Sequence, residues 1–231
     1  MQQLGCHDVR AYLKLLNNNP NVKEQNEYLM TVSISRFFRD REFWIALEEK
    51  ILPGLFTNED RKIKVWSAGC ACGEEVYSFK ILWERLEKHV GTLPMMEILA
   101  TDLHPAYLKA ARSGVYSSSS LKEVDHQDRE RFFRKTDRKN RYQVMPEIKD
   151  NIHWQVHHLS SDPPDRNFRV IFLRNNILTY YQTLQKTAML KKVVDALAPM
   201  GLLVIGSRER LPSAEKNLSA VQPFPYVFRR Y

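Results

Sequence analysis

The segment Ile63-Lys64-Val65-Trp66-Ser67-Ala68-Gly69-Cys70-Ala71-Cys72-Gly73-Glu74-Glu75 joins an apolar run to small residues and then to two acids. Small residues at Gly69, Ala71 and Gly73 let a backbone turn sharply and let a ligand approach it closely. A helix starting at Glu74 offers free N–H groups, which ordinarily attract anions. Glu74 and Glu75 reverse that preference, because two acids repel a pyrophosphate and suit a cation. The pattern disfavours a dinucleotide such as NAD and favours a ligand with a sulfonium or ammonium. Further on, a second apolar run ends in Asp102-Leu103-His104-Pro105. An acid at the tip of a second strand is where a ribose diol is held in this architecture. Its alternative role is to cap a helix beginning near Pro105. Combined with the small-residue turn, Asp102 points to an adenosine-bearing ligand.

Both features need strands to carry them and helices to follow. Strands are predicted at Ile63–Ala68, Met96–Thr101, Ile152–His157, Val170–Leu173, Leu202–Gly206 and Tyr226–Arg229, with a weaker one at Tyr142–Met145. Helical patterns fall at Glu74–Leu86, Pro105–Arg112 and Tyr181–Leu197. Alternation of this kind predicts a mostly parallel sheet with helices on both faces. The run Ser117 to Ser120 reads as a loop or a helix N-terminus, since Ser120 followed by Glu123 matches a capping box. A separate helical portion is expected from Asp8 to about Leu55, closed by Pro53-Gly54. The expected division is a short helical segment at 1–57 and an α/β domain at 58–231.

Composition narrows the classes of function. The 231 residues carry 35 Lys+Arg against 27 Asp+Glu, a formal charge of +8, with 43% hydrophobic and 27% charged residues. Those fractions fit a globular chain and exclude collagen, coiled coil and wholesale disorder. No apolar run is long enough to span a membrane and the first ten residues lack a secretory pattern, so a cytoplasmic protein without membrane insertion is expected. The positive charge suits acidic partners, which include nucleic acid, anionic membrane surfaces and carboxylate-rich proteins.

Five motifs in order then resemble one family, the CheR-type protein-glutamate O-methyltransferases that act on chemoreceptors. Ser33-Ile34-Ser35-Arg36-Phe37-Phe38-Arg39-Asp40 resembles the family's T-x-F-F-R-D box, and Ser67 to Ser78 its S-A-x-x-x-x-G-E-E-x-Y-S loop. Asp102 matches its ribose-binding acid, Ala110 to Tyr116 its A-R-x-G-x-Y turn, and Phe172-Leu173-Arg174-Asn175 its C-R-N strand end, followed by Tyr180-Tyr181. The resemblance spans roughly Met30 to Tyr231. It implies a Rossmann-like class I fold with a seven-stranded sheet, S-adenosyl-L-methionine as cofactor and S-adenosyl-L-homocysteine as product.

The resemblance also implies roles. Ser33, Ser35 and Arg39 would contact the methionine end, with Arg39 on its carboxylate. Gly69 would belong to the cofactor loop, Glu74 or Glu75 would face the ammonium or sulfonium, Asp102 the ribose, and His158-Leu159 the adenine. Arg174 and Asn175 would line the transfer side of the site and Tyr180 would stand near the incoming nucleophile. The acceptor it implies is an acidic protein segment, with a chemoreceptor's cytoplasmic part first and nucleic acid disfavoured. Two other readings stay open: a small-molecule or nucleic-acid acceptor, and a cofactor-binding module without turnover. The chain departs from the family at His158 where Asn is usual, at Cys72 in the loop, in one extra residue across Arg174 to Tyr180, and in a shorter helical region before the box.

Other features read as structural. Cys70 and Cys72, one residue apart, suit packing in a tight turn better than metal binding, and no metal site is expected. Asp162-Pro163-Pro164 reads as a turn. The cationic run Arg129 to Arg141 reads first as a solvated surface.

Overall fold

The computed structural model describes residues 8, 15, 18, 19, 35–56, 60–176, 178, 183–212 and 217–231. By contacts the chain divides into Met1–Ser35 and Arg36–Tyr231. Residues 36–56 thus group by contacts with the second unit, whereas the sequence set them with the N-terminal segment. In the first unit, Leu15 and Asn18 are helical.

The second unit opens with a short helix α1 (Arg41–Ala46), which runs into a π turn at Leu47–Ile51 and a 3-10 turn at Leu52–Gly54. Strands β1 (Lys62–Ala68) and β2 (Met95–Asp102) follow on either side of helix α2 (Glu74–Val90). Then come α3 (Pro105–Ser113), β3 (Val115–Ser117), α4 (His126–Phe132), β4 (Phe133–Lys135), β5 (Arg141–Val144) and β6 (Ile152–Val156). The chain ends through β7 (Phe168–Leu173), α5 (Thr183–Ala196), β8 (Leu197–Ile205), β9 (Leu218–Val221) and β10 (Phe224–Arg230).

Seven strands form one sheet in the order β6-β2-β1-β7-β8-β10-β9. All neighbours run parallel except β10, which is antiparallel to both β8 and β9. The chain winds one way from β1 to β2 and β6, then crosses back to β7 and β8. That reversal opens a crevice beyond the carboxyl ends of β1 and β7, where open α/β sheets bind ligands.

Alternation along the strands makes two cores. Val65, Val170, Phe172, Leu202 and Val204 face one layer with Phe43 and Trp44 of α1 and Val76 and Phe79 of α2. Trp66, Ile171, Leu173, Leu203 and Ile205 face the other with Leu190, Val193 and Val194 of α5. Each such buried side chain contributes about 1.5–3 kcal/mol, so the strands that carry the site are also its firmest support. Helix limits follow local chemistry. Gly73 precedes α2 in the left-handed region at φ 89°, with Glu74 and Glu75 in its first turn and Lys88 and His89 in its last. Pro105 opens α3, and Gly114 closes it at φ 66° with its N–H on Ala110 and Ala111 carbonyls.

Two expectations need correction. The weak strand near Tyr142 belongs to a separate antiparallel sheet, β3-β5-β4, and the seventh strand of the main sheet is β9. The short strands β3, β4 and β9 escaped notice because they are too brief for a periodic signal. No helix starts at Ser120, which is buried in a run of turns with its carbonyl taken by the Phe37 N–H at 3.0 Å. The helix begins at His126 instead, where an Asp125 carboxylate oxygen accepts the Asp128 N–H at 2.8 Å. Among the described residues, no helix is long and apolar enough to cross a membrane.

Candidate active site

The small-residue turn is shaped by its neighbours. Gly69 and Cys70 both donate their N–H to the Thr101 carbonyl at 2.8 Å, tying the end of β1 to that of β2. Gly69 sits at φ 84°, and a Cβ there would stand 2.6 Å from the Asn176 side-chain nitrogen, so a larger residue would be strained and would have to displace that amide. Ala71 is also left-handed, at φ 47°, and turns its N–H to Asp102 Oδ2 at 2.9 Å.

Asp102 Oδ1 accepts the His104 N–H at 2.9 Å. His104 is the residue before α3, and no side chain caps that helix. Asp102 therefore makes a local turn and bridges to the β1 loop; it does not act as the helix cap. Its carboxyl is raised above the usual range, first by burial, while the N–H groups of His104 and Ala71 pull it back. Beside it, the His157 N–H donates to the Asp102 carbonyl at 3.0 Å, which brings His158 and Leu159 to the same rim. His158 Nδ1 accepts the Ser160 N–H at 3.2 Å and also contacts the Ser160 hydroxyl. Leu103 follows Asp102 in the chain and Val156 pairs with it across the strands, and both are exposed apolar side chains that the sequence did not single out.

Cys70 and Cys72 are buried, and burial raises both thiols, that of Cys72 to about 12. Such thiols are neutral packing groups.

The two acids at the start of α2 part company. Glu74 is buried on the side of Cys72 and Tyr116, whose ionisation it disfavours. Glu75 turns to the crevice, where Oε1 accepts the Ser67 hydroxyl at 2.8 Å and Oε2 meets Arg174 at 3.4 Å. Its carboxyl is pushed up by burial and drawn down by Arg174, Ser67 and Arg39.

Arg174, at the end of β7, gathers the other half. Its guanidinium pairs with Asp40 at 2.5 Å as well as with Glu75, and lies 4.9 Å over the Phe43 ring. It also donates to the Arg39 carbonyl at 3.3 Å, which takes the Trp44 indole N–H at 2.9 Å too. Phe38 and Asp40 hold left-handed backbones at φ 51° and 64°, and the Phe38 N–H is caught by the Ser78 hydroxyl at 2.9 Å. Backbone strain of this kind persists where the surroundings over-determine it. Among the described residues, the Arg39 guanidinium enters no ion pair, which leaves a half-buried cation beside Glu75.

Asn175 is left-handed at φ 56° and gives its N–H to Glu209, while the Asn176 amide donates to the Ala68 carbonyl. Arg39, Gly69, Glu75, Asp102, His158, Leu159, Arg174 and Asn175 thus collect at the crevice. Ser35 ends the first unit; Ser33 and Tyr180 lie outside the described residues. Asp40, Ser67, Asn176 and Glu209 were not anticipated, although Asp40 stands in the F-F-R-D box. The cationic run is partly engaged at home: Arg129 lies 4.4 Å over Tyr142, and Arg134 donates to Gln143.

The reversed sheet with a glycine turn after β1 and an acid at the tip of β2 is the architecture of a Rossmann-like, nucleoside-binding domain with its ligand crevice at the switch point. More narrowly, the chain belongs to the family described as CheR methyltransferase, SAM binding domain, whose model matches residues 33–226. A chemotaxis protein methyltransferase of Listeria innocua is 36% identical over 94% of this chain and 80% of its own length. One from Vibrio parahaemolyticus is 30% identical over 86% of this chain and 72% of that one. Among solved structures, the citrinin polyketide synthase CMeT domain is similar at a TM-score of 0.47 and 16% identity, over 87% of this chain and 43% of that one.

Proposed function

We propose that the chain methylates glutamate carboxylates of an acidic protein segment, of the chemoreceptor type, in the cytoplasm. The observation that carries this reading is a buried acid at the tip of β2 together with Arg39, a half-buried cation beside Glu75 that enters no ion pair among the described residues. With S-adenosylmethionine bound, the reaction has a sulfonium-activated methyl group at hand. Asp102 would hold the ribose hydroxyls, Leu103, Val156, His158 and Leu159 the adenine, and Arg39 the methionyl carboxylate. Glu75 is the acid of the pair that suits the ligand's cationic part, since Glu74 turns away beneath the loop.

A glutamate acceptor is already ionised at neutral pH, so the site needs no strong base. The work of Arg174 and Asn175 is to fix the transfer side and keep water from it. The net charge of +8 favours encounter with an acidic segment. The test is titration calorimetry of the chain and of Asp102→Ala with S-adenosylhomocysteine, followed by labelling of a glutamate-rich receptor fragment. Binding that weakens in the variant, with label released as methanol by alkali, supports the reading. Unchanged affinity in Asp102→Ala removes the ribose assignment, and an alkali-stable label, or label on nucleic acid, removes the glutamate.

A further inference from the structure

Glu209 lies just past the end of β8, away from every motif that marks the site, and is buried. Its Oε2 accepts two backbone N–H groups, that of Asn175 at 2.9 Å and that of Gly206 at 2.7 Å. One carboxylate oxygen thereby joins the tips of two neighbouring strands, β7 and β8, on the transfer side of the crevice. Charge-assisted bonds of this kind are about twice as strong as neutral ones, and stronger still when shielded from water.

What Glu209 holds is the turn that carries Arg174, Asn175 and Asn176. Arg174 reaches Asp40 and Glu75, Asn175 takes its left-handed backbone, and Asn176 reaches the Ala68 carbonyl against Gly69. A left-handed asparagine is tolerated when its N–H is satisfied, and here the satisfying group comes from another strand. Gly206 supports the same inference independently. Its backbone is not left-handed, so alanine is conformationally allowed there. Yet an added Cβ would stand 2.7 Å from Glu209 Oε2 and 3.1 Å from Asn175 Oδ1. The glycine is the room the carboxylate needs.

We infer that Glu209 is a positioning residue for methyl transfer: it acts through Asn175, fixing the β7 turn that presents Arg174 and Asn175 to the reacting groups. The inference rests on the functional reading above. The test compares full-length wild type, Glu209→Ala, Glu209→Gln and Gly206→Ala. Glutamine keeps one oxygen acceptor at the same reach, whereas alanine removes it.

Glu209→Ala is expected to bind S-adenosylhomocysteine with wild-type stoichiometry, which counts the folded chains, and to lose about tenfold or more in kcat with KM for the receptor fragment shifted less than about threefold. Glu209→Gln should recover most of that loss, and Gly206→Ala should follow Glu209→Ala. In the amide spectrum the Asn175 N–H signal should move in Glu209→Ala and return in Glu209→Gln. Wild-type turnover in Glu209→Ala, equal losses in Ala and Gln, or a loss matched by fewer binding-competent chains would overturn the inference. A wild type that binds no S-adenosylhomocysteine would defeat the functional reading instead. In that event an unmoved Asn175 signal in Glu209→Ala still overturns the inference, and a shifted one still supports the hold on the turn.

Discussion

At the tip of β2 the Asp102 carboxylate is held by backbone N–H groups from Ala71 and His104, and the loop it meets is shaped by glycine. At the tip of β7 the Arg174 guanidinium is held by side chains, Asp40 and Glu75, that arrive from remote parts of the chain. The first half is a property of backbone geometry, and its parts sit close to two strand ends. The second is an electrostatic assembly with acids on two elements and aromatic rings beneath. Backbone geometry yields little to a side-chain change, whereas an ion cluster fails as a unit when one member goes.

Arg174→Ala should give the largest effect, because it strands Asp40 and a largely buried Glu75 without their cation. A loss of about 3 kcal/mol is expected, read as a lower urea midpoint; a change under about 1 kcal/mol would mean the cluster is as loose as a surface pair. Arg39→Ala should leave the fold alone and weaken S-adenosylhomocysteine binding by about 1.5–3 kcal/mol. Wild-type affinity would take Arg39 out of the site. Gly69→Ala tests the other half, where a left-handed alanine costs roughly 1–2 kcal/mol before its clash with Asn176. A neutral result would show the loop to be more pliable than its bonds suggest.

The smallest effect concerns pH. Burial raises the Asp102 carboxyl above its ordinary 3.8, and a ribose held through its hydroxyls requires the ionised form. Affinity for S-adenosylhomocysteine should therefore be full above the raised value and fall as pH drops through it, while Asp102→Asn should lack that fall. If wild type and variant decline together, the proton goes onto another group, with Glu75 on the transfer side the first to examine, since burial raises it as well.

This contrast also explains what could be read in advance. The arrangement around Asp102 was legible because its residues form compact strings: small residues after an apolar run, and an acid at the end of the next. The parallel sheet followed from the same runs. Arg174 and Asn175 were visible by resemblance, yet their partners were not. Asp40 is 134 positions from Arg174 and Glu209 is 34 from Asn175, and nothing in local periodicity links such pairs. That the run ending at Ser120 is a loop and not the helix start its capping pattern allowed has a similar origin. The local pattern was sound, but the Ser120 carbonyl is taken by the N–H of Phe37, 83 positions earlier. Short strands such as β4 owe their existence to pairing partners and leave no trace in three residues.

The central pairing of the sheet sets Val65 beside Val170, so the middle of the domain closes only when distant parts of the chain meet. Contacts of such long sequence separation are slow to form, because the loop between must be closed before anything is gained. During synthesis, a chain that has emerged only as far as Asn167 possesses β1, β2 and the Asp102 turn but no strand on the other flank of β1. A chain stalled before Phe168 therefore carries the glycine turn and the Asp102 acid while β1 still lacks the strand that covers its other edge.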